Sequence, residues 1–473
     1  MNASLPLTDG LLRDRPALVT GGVTTGSAAL HTRTLALARH FRAQGVATGD
    51  RVVLLVPPGP DFAASLLGLA WIGAVPVLLE PQQAPGAYAA RIASVDARFA
   101  VVDPRLPWVW RIPGLQGLLT RRGRPIPPRP GAARWLPVPR HARGSVPPVD
   151  RSDDDDALIV FTSGTTSAPK AVIHTHGNLP HWLTAVRTLV GDLDLDSYLA
   201  ETPQQIFYAL LLGVTCHLVP GTGEARVAKA ARAMQEHRIQ GWFGSPWLWK
   251  QWVEGGGTVP DSLRAVLLGS SPVTRRFLHD FLPRVPASTT VRCVYGLTEI
   301  GPAATVDGRE KADTEVHGDW VGRLTPSTRA RIDDGVLKLA SPALARRYGA
   351  TPVGEWLDTG DLAELSERGI VLRGRSKDMI LRRAVNLYPG VLEPLVQGPE
   401  EVALVGVYDH DRADERVVLC FVGPEPRDPA GALGPEAAPD HVLRVEAMPR
   451  SGRQNKVDKG PLRDLAREAF RIP

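Results

Sequence analysis

Residues Asp156 to Asn178 constrain this chain more than any other stretch. An apolar run, Ala157-Leu158-Ile159-Val160-Phe161, is followed by Thr162-Ser163-Gly164-Thr165-Thr166-Ser167-Ala168-Pro169-Lys170 and then by a second β-type run, Ala171-Val172-Ile173-His174. A loop so dense in glycine, hydroxyls and one lysine offers backbone N–H groups, O–H groups and a cation together, the donors that a polyphosphate needs. A P-loop is excluded, because the second glycine before the lysine is missing and the lysine leads into an alternating strand instead of a helix. Taken alone, these residues would equally suit a Ser/Thr/Gly hairpin loop with no ligand.

At 473 residues the chain is too long for one comfortable core and implies two or three domains. A net charge of +5 comes mostly from arginine spread along the sequence, and no basic helix or aromatic-rich module accompanies it, so nucleic-acid binding is not expected. Cys216, Cys293 and Cys420 lie far apart without metal-ligand spacing, which suits a reducing compartment. Residues 1–14 lack a signal pattern and no apolar run is long enough to span a bilayer, so a cytoplasmic protein, monomer or homodimer, is expected.

Helical spacing over Ala28–Gln44, an apolar strand at Arg51–Val56, a helix at Asp61–Ile72 and a strand at Gly73–Leu79 predict a parallel α/β layer. Val101-Val102 reads as a third strand, and the proline-rich stretch 104–150 after it predicts a loop-rich connection. The acidic run Asp153–Asp156 reads as a solvated approach to a strand. His174, His176 and His181 invite a metal hypothesis, but no carboxylate or cysteine joins them and a helix starting near Asn178 would separate them. Trp242-Phe243-Gly244-Ser245-Pro246-Trp247-Leu248-Trp249 is the most aromatic stretch; most of these rings are expected to pack a helix onto a sheet. Further strands are expected at Ala265–Leu268, Val291–Val294, Val371-Leu372, Met379–Leu381, Val402–Val407 and Val417–Val422, with a helix at Val391–Val396 and a loose connection at Pro424–Pro439.

Five stretches in order, Thr162 to Lys170, Tyr295-Gly296-Leu297-Thr298-Glu299, Asp358-Thr359-Gly360-Asp361, Gly374-Arg375-Ser376-Lys377-Asp378 and the tail lysine Lys456, resemble the signatures of the adenylate-forming superfamily. That superfamily includes acyl-CoA synthetases, nonribosomal-peptide adenylation domains and firefly luciferase. The resemblance covers nearly the whole chain, with poor correspondence over 104–150. It implies an α/β fold: a large N-terminal region of layered α/β subdomains with mixed sheets, residues 1–374, and a small mobile α+β C-terminal domain, residues 375–473, hinged at Lys377.

The resemblance also implies roles. Thr162, Ser163, Gly164, Thr165, Thr166 and Lys170 would hold the phosphates of ATP, and Glu299 would hold Mg2+. Thr298 would touch the α-phosphate, and Lys456 would bridge that phosphate and the substrate carboxylate. Gly269, Ser270, Ser271, Pro272, Tyr295 and Gly296 would surround adenine, where glycine removes the side chain that would obstruct a flat base. Asp361 and Arg375 would hold the ribose, the two acids of Asp358–Asp361 flanking a tight Thr-Gly turn. Trp242, Phe243 and Gly244 would line the acyl pocket, implying a fatty or aryl acid. The implied reaction is acyl-adenylate formation with release of pyrophosphate, then acyl transfer to CoA.

The chain departs from the family pattern at several points. Ser167 and Ala171 replace glycines, the run to Lys456 is one residue longer than common and carries Asn455 in place of a glycine, and Leu381 and Ala384 replace a lysine and a glycine. A methyl group at Ala384 would narrow the passage for the thiol arm of CoA. Two alternatives therefore stay open: transfer to a carrier protein's phosphopantetheine or closure to a β-lactone, and a non-catalytic member that binds nucleotide or acyl ligand.

Overall fold

Short, nearly continuous apolar runs separated by amphipathic helices can bury both faces only as neighbouring parallel strands, and this is the arrangement in the computed structural model of the protein. It describes residues 15–79, 85–112, 133–161, 170–191, 193–200, 202–219, 223–255, 257–382, 385–411, 414–451 and 456–472. Arg51–Leu55 pairs in parallel with Val75–Leu78 on one side and Phe99–Val102 on the other. Phe99–Val102 in turn pairs with Arg134–Pro137, a strand that the proline-rich stretch conceals because it is only four residues long. Val75–Leu78 meets Asp156–Phe161, which turns back antiparallel into Ala171–Thr175 with Phe161 opposite Ala171. The two expected β-runs therefore form a hairpin, whose loop, with Thr162, Ser163, Gly164, Thr165 and Thr166, lies outside the described residues. Asp156 is not merely solvated: it pairs with Arg51 at 3.3 Å and with Arg347.

The second, larger sheet has a parallel centre, Thr215–Leu218, Ser197–Ala200, Gly241–Gly244, Ala265–Leu268 and Thr290–Leu297. It continues antiparallel through Gly301–Asp307, Asp319–Leu324, Gly369–Arg375 and Leu357–Ser366. Helices Ser27–Ala43 and Pro60–Trp71 contribute Leu30, Leu37, Phe41, Phe62 and Leu66 to one apolar cluster that takes residues from both sheets. Burial of this kind, at roughly 25 cal/mol per Å² of apolar surface, is what holds the sheets in fixed register with one another.

Beyond Arg375 a short 3-10 turn, Ser376–Asp378, leads to a separate set of elements. Glu401–Asp409, Asp414–Val422 and His441–Arg444 form a three-stranded sheet. Alternation along Glu401–Asp409 sends Ala403, Val405 and Val407 against Leu462 and Ala466 of the C-terminal helix Lys459–Phe470. Leu404 goes to the other face, with Ile380, Leu387 and Leu433. Two expectations are corrected here. Pro424–Pro439 is not a loose connection, since Pro429–Ala437 is a helix kinked at Gly434 whose first turn is capped by Asp428. The helix expected at Val391–Val396 is split into Pro389–Leu392 and a 3-10 turn, Glu393–Leu395, which begins where Pro394 denies a backbone donor.

Candidate active site

The strand Thr290–Leu297 carries Tyr295 and Gly296 near its C-terminal end, in the middle of the large sheet, and is followed directly by Thr298 and Glu299. Its neighbour Ala265–Leu268 ends beside it at Gly269-Ser270-Ser271-Pro272. A Cβ on Gly269 would stand 2.8 Å from the Val294 carbonyl oxygen and 3.1 Å from the Phe243 ring, so only glycine fits this close packing without a shift. Ser270 follows in the left-handed region at φ 71°.

Asp358-Thr359-Gly360-Asp361 does not form a free turn, contrary to the sequence expectation; it is built into the strand Leu357–Ser366. Gly360 at φ 67° lets the strand bulge so that the two acids part company. Asp358 stays exposed, where Lys338 donates to it at 2.6 Å and holds its carboxyl below the usual range. Asp361 is buried at 4 % exposure and stands opposite Arg375 in the antiparallel register. The Arg375 Nε lies 2.7 Å from Asp361 Oδ1, and the Tyr295 hydroxyl donates to Oδ2 at 2.6 Å. Burial pushes the Asp361 carboxyl up, opposed by Arg375 and Tyr295, while burial and the adjacent carboxylate hold the Tyr295 phenol well above its ordinary value. Thr359 fixes the bulge by accepting from Asp361 N at 3.0 Å and donating to Leu337 O at 2.8 Å.

The three histidines have separate fates, and among the described residues no group of three His, Cys, Asp or Glu side chains could hold a metal. His174 is buried, donates from Nε2 to the Thr298 carbonyl at 3.2 Å and accepts at Nδ1 from Asn178 at 2.9 Å. Burial lowers its pKa to about 4, so it works as a neutral strut beneath Thr298. Glu299 is 8 % exposed, its Oε1 accepts from the Tyr348 hydroxyl at 2.8 Å, and it makes no ion pair with a described residue. Lys170 leads into the second strand of the hairpin with its Nζ 4.7 Å from the Tyr348 ring centroid. A nearly buried carboxylate with a neutral donor and no cationic partner fits a hard divalent cation whose remaining ligands are phosphate oxygens and water.

Lys456 arrives from the other side. It starts a two-residue strand that pairs Lys456 with Ser451, and Asp458 then caps the C-terminal helix through Gly460 N at 3.1 Å. Burial, Arg375 and Lys377 lower the Lys456 ammonium to about 8, while Asp361 acts in the opposite sense. The tail lysine thus lies within the field of the arginine–aspartate pair that Tyr295 also bonds. Asn455 and Ala384 lie outside the described residues.

The aromatic stretch divides by strand alternation. Trp242 has no exposed surface; its ring lies 4.4 Å from Trp249 and 5.9 Å from Trp252, inside the cluster that fastens helix Pro246–Glu254 to the sheet. Its assignment to a substrate pocket is therefore corrected, because a side chain without accessible surface presents nothing to a ligand. Phe243 points to the opposite face, half-buried beside Leu189, Val190 and Leu267, and its carbonyl accepts from Gln205 at 3.0 Å. Gly244 is buried, with room for no side chain because a Cβ would meet Trp249 Nε1 at 2.8 Å. Tyr348 and His174 are the residues that sequence reasoning did not place in this site. Tyr348 belongs to a two-residue strand with no local signature, and His174 was weighed only as a metal ligand.

A family model described as AMP-binding enzyme matches residues 11–342. The long-chain-fatty-acid–CoA ligase FadD13 of Mycobacterium tuberculosis is 25% identical over 460 residues, covering 86% of this chain and 87% of that protein. An olefin beta-lactone synthetase of Stenotrophomonas maltophilia is 28% identical over 374 residues, covering 72% of this chain and 64% of that protein. The fold matches that of o-succinylbenzoate CoA synthetase from Bacillus subtilis, solved with its acyl-adenylate intermediate. The TM-score is 0.80 at 19% identity, with 98% of each chain covered.

Proposed function

The chain belongs to the AMP-binding enzyme family, and from that premise we propose that it is an ATP-dependent carboxylic-acid ligase of the acid–thiol type. The carboxylate of a small-molecule acid attacks the α-phosphorus of ATP, the bond to the pyrophosphate breaks, and pyrophosphate leaves. The acyl-adenylate then passes its acyl group to a thiol, that of CoA in this reading, with AMP as the leaving group. The observation that carries it is the Asp361–Arg375–Tyr295 cluster of the large sheet, whose charges act on Lys456 of the C-terminal elements.

In this reading each side chain has work that its surroundings suit. The Asp361–Arg375 pair, fixed by Tyr295, presents a preorganised acceptor and donor to the ribose diol. Gly269, packed against Val294 and Phe243, would start the Gly269–Pro272 turn beside adenine. Lys456 as a cation orients the attacking carboxylate and offsets charge developing at the α-phosphate. Lys170 and the hydroxyl-rich loop take the outer phosphates. Glu299 would hold magnesium, which neutralises triphosphate charge when bound. Phe243, with Gly244 behind it, would form the wall of a pocket for an apolar fatty or aryl body. The boundary between a large domain and a small mobile one falls at 374/375 in this reading, supported by the 3-10 turn Ser376–Asp378, with Lys377 as the hinge. The three free cysteines support a cytoplasmic setting, and among the described residues no helix is long and apolar enough to cross a membrane.

The test is ATP–pyrophosphate exchange across fatty and aryl acids, with and without CoA. Exchange with a subset of acids and CoA-dependent release of AMP are expected. Silence across the panel would favour a non-catalytic nucleotide or acyl binder. The likeness to the olefin beta-lactone synthetase motivates a second reading, in which the adenylate closes internally or loads a carrier protein. Acyl-adenylate turnover without consumption of CoA would select it.

A further inference from the structure

We propose that Tyr348 is a positioning residue that sets Lys170 and Glu299 together, and so governs how tightly the outer phosphates of Mg-ATP are held; this rests on the ligase reading above for the roles of those two groups. The backbone around Tyr348 is zipped to the phosphate hairpin, with Tyr348 opposite Val172, Arg346 N donating to Ile173 O at 3.2 Å and Gly349 N donating to Ala171 O at 2.9 Å. It also grips the Glu299 segment, since Ala345 N donates to the Glu299 carbonyl at 2.7 Å. The side chain repeats this bridging: its hydroxyl donates to Glu299 Oε1 at 2.8 Å while the Lys170 ammonium stands 4.7 Å from its ring centroid.

One side chain therefore offers a donor to an anion and a π-face to a cation. Neither interaction neutralises the charge it touches, as a direct ion pair between lysine and glutamate would. Neither Lys170 nor Glu299 makes an ion pair with a described residue, so both charges remain available to a stronger partner. A triphosphate with its magnesium ion is such a partner, having anionic oxygens for the lysine and a cation for the carboxylate.

Separating hydroxyl from ring tests this. Tyr348→Phe keeps the face beneath Lys170 and removes the donor to Glu299; Tyr348→Leu removes both. Calorimetric binding of ATP is measured with magnesium and in a chelator, with AMP as the control ligand that does not reach Lys170. Tyr348→Phe is expected to weaken ATP binding about ten-fold in magnesium and to leave it unchanged in chelator, in line with the loss of a hydrogen bond to a charged group. Tyr348→Leu is expected to weaken it in both conditions, and AMP binding and melting temperature are expected to stay at the wild-type level for both variants. Equal ATP affinity in all three proteins overturns the proposal, as does a parallel loss of AMP binding, which would mark Tyr348 as structural only. If the wild type fails in pyrophosphate exchange but the binding pattern appears, the ligase reading falls and the positioning role stands. A wild type that binds no ATP overturns both.

Discussion

Lys456 offers the sharpest quantitative prediction, because its environment moves its titration into an accessible range. Burial and the cations Arg375 and Lys377 lower its ammonium to about 8, with Asp361 opposing them. The proposed role needs the cation, which is present below that value and lost as pH rises through it. For a group titrating near 8, the protonated fraction falls from about 90% at pH 7 to about 10% at pH 9; an ordinary lysine near 10.4 would lose only a few per cent. The kcat/KM of ATP–pyrophosphate exchange reports the free enzyme, and we predict that it falls about ten-fold between pH 7 and 9. Lys456→Arg, which stays charged, should be slower but flat over that range. Asp361→Asn removes the group that raises the ammonium and should move the break to lower pH, whereas Lys377→Ala should move it upward. A wild-type profile flat to pH 9.5, or the same break in Lys456→Arg, would refute the reasoning.

Other perturbations separate packing from chemistry. Trp242→Ala should cost about 3–5 kcal/mol in denaturant unfolding without changing acid preference, while Phe243→Ala should raise KM for the acid and leave KM for ATP unchanged; the reverse pattern would contradict the face assignment. Gly269→Ala forces a methyl to within 2.8 Å of the Val294 carbonyl and should lower stability by about 1–3 kcal/mol and weaken nucleotide binding in titration calorimetry. His217 has its pKa lowered to about 4 by burial and by His237, so the unfolded chain binds the extra proton between about 6.5 and 4. Stability should therefore fall as pH drops through that window, and His217→Gln should flatten the fall in melting temperature.

The parallel layers were legible because their signal is local: apolar runs of four to six residues separated by helical spacing survive any tertiary context. The two β-runs Asp156–Phe161 and Ala171–Thr175 were legible for the same reason, and they pair as a hairpin. What depends on register was not. Nothing in the spacing of Asp361 and Arg375 says that they oppose one another across two strands, nor that Gly360 sits in a bulge instead of a turn. Strand alternation separates Trp242 from Phe243, but only the packing of helix Pro246–Glu254 says which face is core. The helix at Pro429–Ala437 had a readable start in Asp428-Pro429, a capping residue before proline at the first helical position, outweighed by the surrounding glycines and prolines. Tyr348 was not readable, since its importance lies in reaching two groups that are distant in sequence.

In the proposed reaction a carboxylate oxygen attacks the α-phosphorus of a nucleotide held between Lys456 and the large sheet. Supplying an acid that supports exchange with both carboxylate oxygens labelled as 18O, and analysing the nucleotide product by mass spectrometry after acyl transfer, follows that oxygen directly. One 18O in each AMP formed and none in pyrophosphate is the expected result. Label in inorganic phosphate together with ADP, or AMP without label, would contradict it.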